Sequence, residues 1–77
     1  MDAKQVLDEL KWRKDRNLAN VVIHYVHRGA PDDTKTISGK EILETDASFF
    51  TTSESSVPYH RIFRIEYLDT VIFERSR

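Results

Sequence analysis

Two histidine–arginine doublets, His27-Arg28 and His60-Arg61, are the residues of this chain best suited to chemistry. Arginine presents a planar fork of N–H donors that matches a phosphate in bidentate fashion, and histidine donates one hydrogen bond when neutral and two when protonated. Such a doublet suits a phosphate ester. It equally suits a surface ion pair with a nearby carboxylate, so the pattern alone leaves both uses open. Three histidines also raise the question of a metal site. His24 and His27 are three apart on what reads as a strand, where odd spacing sends side chains to opposite faces, so they are not expected to share an ion. No metal and no other cofactor is expected. Ser38-Gly39-Lys40 has the tail of a phosphate-binding loop, but the first glycine is absent and Glu41 stands where a hydroxyl residue belongs. No catalytic residue follows from it.

The elements that must position these groups begin with a helix. Asp2 and Gln5 have the spacing of a capping box, and Val6, Leu7 and Leu10 recur at helical spacing through Lys11. Trp12, just beyond, is expected to close one end of the core. Residues 20–27 are dense in β-branched and aromatic types and end at the turn-forming Gly29-Ala30-Pro31-Asp32-Asp33. Both parities are largely apolar, which predicts a central strand. Residues 34–37 read as a short strand and Ser38 to Glu41 as a second capping box opening one helical turn. A strand over residues 48–52 and a polar loop precede Pro58, after which residues 60–67 and 70–75 form a closing β-hairpin around Leu68-Asp69. The predicted fold is α+β, with an N-terminal helix packed on a small, mainly antiparallel curled sheet of about four strands that ends in a β-hairpin.

Within that hairpin, a register placing Phe63 opposite Phe73 and Ile65 opposite Val71 brings Arg61 opposite Arg75. Two arginines at the open mouth of a hairpin repel unless an anion or an acid lies between them, so this register makes the pair a phosphate clamp, while a slip of one residue separates them. Tyr59, between Pro58 and His60 in a polar neighbourhood, is the expected stacking surface for an unpaired base. Phe49, Phe50, Phe63 and Phe73 read as core, and packing is favoured over stacking for Tyr25 and Trp12.

Length and composition set the outer bounds. Seventy-seven residues suggest one domain over 1–77, and a chain of this size hides only about 60% of the surface its unfolded form exposes. The absence of cysteine removes disulfides and thiolate metal sites and makes a reducing, cytoplasmic setting the expectation. The first residues carry no apolar run of the kind a signal peptide needs, and no stretch approaches the roughly 18 apolar residues of a membrane span, so no membrane partner is expected. The net charge of −1 argues against a general polyanion binder. It conceals two opposed stretches. Between Lys11 and Arg28 five basic residues stand against one acid, and between Asp32 and Glu54 six acids stand against two lysines. This asymmetry permits a local anion site beside an otherwise mixed surface.

Three segments together resemble a known family: Val6-Leu7 with Leu10-Lys11-Trp12, then Tyr25-Val26-His27-Arg28-Gly29-Ala30-Pro31, then Val57-Pro58-Tyr59-His60-Arg61-Ile62 before a hairpin ending Phe73-Glu74-Arg75. The chain resembles, over nearly its whole length, a small and mostly archaeal family whose domain is named for recognition of RNA cyclic group ends. The resemblance implies binding of single-stranded RNA at a 3′ end bearing a 2′,3′-cyclic phosphate, with an RNA-processing enzyme as a further partner. It points to His60, Arg61 and Arg75, with His27 and Arg28 as a second group. The family often has tryptophan where Phe73 stands here, so a base-stacking role is not carried over to that position.

Three function classes compete on these residues. In a binding module, arginines neutralise a terminal phosphate, His60 donates to it and Tyr59 stacks on the last base. In a small phosphoesterase-type enzyme, His27 and His60 act as an acid–base pair on a cyclic phosphate. The paired His-x-Ser/Thr segments of the two-histidine phosphoesterases are absent, which favours binding over catalysis. In a protein-interaction adaptor, the acidic middle segment or a free hairpin edge docks onto an RNA-processing enzyme.

Overall fold

The first capping box forms as its residue types require: the Asp2 carboxylate accepts from the Gln5 amide at 2.8 Å, and the Gln5 side chain accepts from the Asp2 amide at 2.9 Å. It opens helix α1 (Ala3–Trp12) in a computed structural model that describes residues 2–76. Ala3, Val6, Leu7 and Leu10 make one buried stripe, spaced three and four apart. Trp12 falls about 200° around the helix from Leu10, off that stripe. It is therefore 80% exposed and closes no part of the core, contrary to the expectation from sequence.

Strands β1 (Val21–Val26), β2 (Thr34–Ser38), β6 (Ile62–Tyr67) and β7 (Thr70–Glu74) form an antiparallel sheet in the order β2-β1-β6-β7. β1 is central, as its apolar parities predict, with Val21, Ile23 and Tyr25 buried towards the core. β3 (Glu44–Thr45), β4 (Phe49–Thr51) and β5 (Ser56–Pro58) make a second small sheet. A chain of rings joins the two sheets. Tyr25 meets Phe50 edge-on at 6.4 Å between centroids, and Phe50 meets Tyr59 at 6.1 Å. No helix among the described residues is long and apolar enough to cross a membrane.

The second capping box also forms, with the Ser38 amide donating to Glu41 at 2.9 Å and the Ser38 hydroxyl accepting from Lys40 at 3.2 Å. Gly39 within it is a packing glycine. A Cβ there would lie 1.9 Å from the Leu18 carbonyl oxygen, so the residue type is set by close backbone approach and not by phosphate binding.

The last hairpin departs from the expected register. Leu68 and Asp69 both take positive φ, 47° and 69°, giving a two-residue turn whose twist matches the strands and which pairs Tyr67 with Thr70 and Glu66 with Val71. That is one residue away from the Ile65–Val71 pairing the sequence suggests. A bulge between Ile65 and Glu66 adds another, because both Ile72 and Phe73 pack on the core, and so Ile65 pairs with Phe73 and Arg64 with Glu74. The Arg75 amide donates to the Phe63 carbonyl at 2.9 Å. Phe63 thus occupies the place that Arg61 was expected to take opposite Arg75.

Left-handed backbone at leucine is costly, by about 1–2 kcal/mol per residue. Leu68→Asn with Asp69→Gly is therefore expected to raise the urea midpoint, by about 1 kcal/mol in stability, with the slope unchanged. Gly39→Ala is expected to lower stability by about 2–3 kcal/mol in the same measurement.

Candidate functional site

Phe49 pairs with Pro58 at the end of the β4–β5 ladder, and the ladder continues one step as the Tyr59 amide donates to the Ser48 carbonyl at 3.2 Å. The chain then tightens into a single helical turn, Tyr59–Arg61, that leads into β6. Tyr59 points inward from this turn, 7% exposed, and its hydroxyl donates to the Asp46 carbonyl at 2.8 Å. Its ring belongs to the core through Phe50 and presents no face to a base, which corrects the stacking role expected from its polar neighbours. Burial raises its pKa above the ordinary phenol value, with Asp8 adding to the effect.

His60, next along the turn, is exposed. It lines a cleft of about 350 Å³ with Tyr59, Ser48 and Arg75, and the first turn of α1 supplies Asp2 and Lys4. The cleft gathers residues from four separated parts of the chain. Lys4 donates to Asp8 at 2.6 Å, and that hydrogen bond raises the ammonium's pKa, so it stays charged through neutral pH. The Asp2 carboxylate is already engaged in capping. Asp8 offsets Lys4 and Asp2 faces Arg75, so the formal charges around the cleft balance and its attraction for an anion rests on the placed donors of Lys4, His60 and Arg75.

The sequence-derived site residues divide among three places. His60, Tyr59 and Arg75 share the cleft at the start of α1. Arg61 ends the turn, exposed, and is not among the residues lining that cleft. The Arg61–Arg75 clamp is therefore not formed, because the turn and bulge of the hairpin displace the register by two residues. His27 and Arg28 line a different depression of about 520 Å³ with Lys35 and Thr36. Lys4 and Ser48 were not legible as site residues, since nothing local tells which strand end a helix N-terminus will meet.

Among the described residues, no carboxylate pairs with Arg28, Arg61 or Arg75; the ion pairs go to Lys4, Arg13, Lys35 and Arg64. The ion-pair use of these three arginines is thus not taken up. His24 lies on the open sheet face, where Nε2 is 2.6 Å from Glu66 and Nδ1 is 3.1 Å from Thr36. A broad depression of about 850 Å³ covers this face and also reaches Arg75. Although larger, it sets Asp32, Asp33 and Glu74 against Arg64 and Arg75, and Glu74 already holds Arg64 at 2.8 Å. Its charge disfavours a polyanion. The smaller cleft is the better anion site.

Because the folded Tyr59 phenol keeps its proton above the ordinary value near 10, its contribution to stability is complete below about pH 10 and is lost as pH rises through the folded value. Tyr59→Phe is expected to lose about 1 kcal/mol at neutral pH with the hydrogen bond to Asp46, and to show a shallower alkaline decline than the parent in urea melts above pH 10.

The chain is similar to known proteins over most of its length. A family profile described as the MJ1316 RNA cyclic group end recognition domain matches residues 1–75. A UPF0248 protein of Methanococcus vannielii is 40% identical over 87% of this chain and 80% of its own length. A UPF0248 protein of Thermococcus onnurineus is 32% identical over 96% and 84%, and one of Archaeoglobus fulgidus is 30% identical over 90% and 99%. No solved structure matches the chain significantly. With its profile match spanning both the cleft and the hairpin that completes it, the chain belongs to the archaeal UPF0248 family, the family of the MJ1316 RNA cyclic group end recognition domain.

Proposed function

We propose that the chain is a binding module that holds 3′ ends of single-stranded RNA carrying a 2′,3′-cyclic phosphate. The observation that carries this reading is the convergence of His60, Arg75 and Lys4 on one small cleft. A cyclic phosphate is a diester and carries one negative charge, whereas an open terminal phosphate carries about −1.5 to −2 at neutral pH. A cleft whose cations are offset by Asp2 and Asp8 suits the singly charged cyclic end better than the more highly charged open phosphate. Arg75 supplies a two-pronged donor, His60 one N–H and Lys4 a point charge. Ser48 adds a hydroxyl able to donate to a phosphate oxygen or accept from a sugar hydroxyl. The description of the family profile supports the same class of ligand.

Binding is favoured over catalysis by the separation of the two histidines. Opening a cyclic phosphate by general acid–base chemistry needs two proton-transfer groups on either side of phosphorus. His27 lines a different depression from His60, and no second histidine lines the cleft. An RNA-processing enzyme acting on the held end is the partner this role implies, and a cytoplasmic setting suits it.

Short RNAs ending in cyclic phosphate are expected to bind about tenfold more tightly than otherwise identical 3′-hydroxyl RNAs across a salt series, and to be recovered with the ring intact. Arg75→Ala should remove most of that preference, a loss of about 1 kcal/mol out of the roughly 1.4 kcal/mol that tenfold represents, and flatten the salt dependence by about one charge. Arg61→Ala should leave the preference in place. Equal affinity for the two ends would remove the proposed specificity, and ring opening lost in both His27→Ala and His60→Ala would make the chain an enzyme.

A further inference from the structure

The end of α1 opposite the cleft carries features that end recognition does not use. Trp12 is 80% exposed there, while every other core-type residue of the helix is buried. It follows Lys11, which with Lys14 and Arg16 lines a second cleft of about 440 Å³ closed by Tyr67. Arg16 lies 5.2 Å over the Tyr67 ring, a cation–π contact, and the Tyr67 hydroxyl accepts from the Asn17 amide at 3.2 Å. The one acid of this cleft, Asp15, is bound by Arg13 through two hydrogen bonds of 3.1 Å. Three cations are thus left with no carboxylate partner among the described residues: Lys11 donates only to the Thr45 hydroxyl, and Lys14 and Arg16 form no ion pair.

We propose that this surface is a second contact for single-stranded RNA, in which Trp12 stacks on an unpaired base and Lys14 and Arg16 hold backbone phosphates. An exposed aromatic beside a basic groove is the combination that non-specific single-strand binding uses, because every base offers a π-face and every nucleotide a phosphate. Charge complementarity commits the surface to a polyanion. A protein partner is disfavoured by the lysine content and by the lone indole, since protein interfaces are depleted in lysine and bury contiguous apolar area. The inference rests on RNA being the ligand of the first cleft. From Ala3 to Trp12 the helix rises about 14 Å, the length of about four stacked nucleotides, so a strand whose end sits by His60 reaches Trp12 a few nucleotides upstream.

Trp12 is the sole tryptophan, so its fluorescence reports on this surface directly. The test uses oligouridines of about eight nucleotides ending in either 3′-hydroxyl or cyclic phosphate, titrated against the full chain, Trp12→Ala and Lys14→Ala. Both RNAs are expected to quench the fluorescence to saturation. Trp12→Ala should weaken both by about tenfold and leave their ratio unchanged, and Lys14→Ala should lower the salt slope by about one. Fluorescence that does not move at saturating RNA, or a Trp12→Ala chain that binds both RNAs as the parent does, overturns the proposal. So does a parent dimer that Trp12→Ala dissociates with RNA binding unchanged, which would give the surface to a second copy. A parent ratio near one, with the Trp12→Ala loss intact, would remove end specificity while upholding this second contact.

Discussion

The position of Arg75 is fixed by backbone hydrogen bonding and not by its own side chain, and the proposed site depends on it. Two positive φ angles at Leu68 and Asp69 start the hairpin one residue away from the simplest apolar pairing, and the bulge at Ile65 adds a second. What drives the bulge is burial, because it lets Ile72 and Phe73 both reach the core under α1. Arg75 is thereby seated beside Phe63 at the rim. From that rim it lines both the cleft below, with Lys4 and His60, and the open sheet face. A different register would move the guanidinium along the edge strand by the rise of a residue or more, about 3.4 Å each.

Local chemistry was legible in the sequence and relative placement was not. The capping residues Asp2, Gln5, Ser38 and Glu41 specify backbone hydrogen bonds three residues away, and both boxes formed. The central strand was equally plain from its β-branched run, and the hairpin from its flanking strands. Trp12 went the other way because a large apolar ring was weighted above its angular position on the helix. Tyr59 did so because its neighbours in sequence are polar while its neighbours in space are Phe50 and the Asp46 carbonyl. Arg61 was misplaced by one residue through the turn at Leu68-Asp69 and by a second through the bulge, which no local pattern announces. The hairpin geometry expected to pair Arg61 with Arg75 is absent, and Arg75 instead lines one cleft with His60 beside the start of α1.

Charge is distributed so that the faces of the molecule differ in use. The sheet face reached by His24 and Arg64 is edged by Asp32, Asp33 and Glu74 and has little attraction for a polyanion. The two ends of α1 differ from it, one with Lys4, His60 and Arg75 around a small cleft and the other with cations that pair with no carboxylate among the described residues, near an exposed indole. A helix of ten residues thus separates the proposed group-selective site from the surface proposed to take any nucleotide. In that arrangement the near-neutral total charge is informative, because affinity drawn from a few placed cations leaves room for the end group to decide which RNA is held.

The most direct test of the cleft is a titration of the isotope-labelled chain with a 2′,3′-cyclic mononucleotide, followed by amide and side-chain NMR shifts. The mononucleotide is too short to span the helix. The account predicts saturable shifts centred on Lys4, Ser48, His60 and Arg75, with Arg61 and the His27-Arg28 depression unmoved. Shifts that gather instead at His27 and Arg28, or none at concentrations that saturate RNA binding, would contradict it.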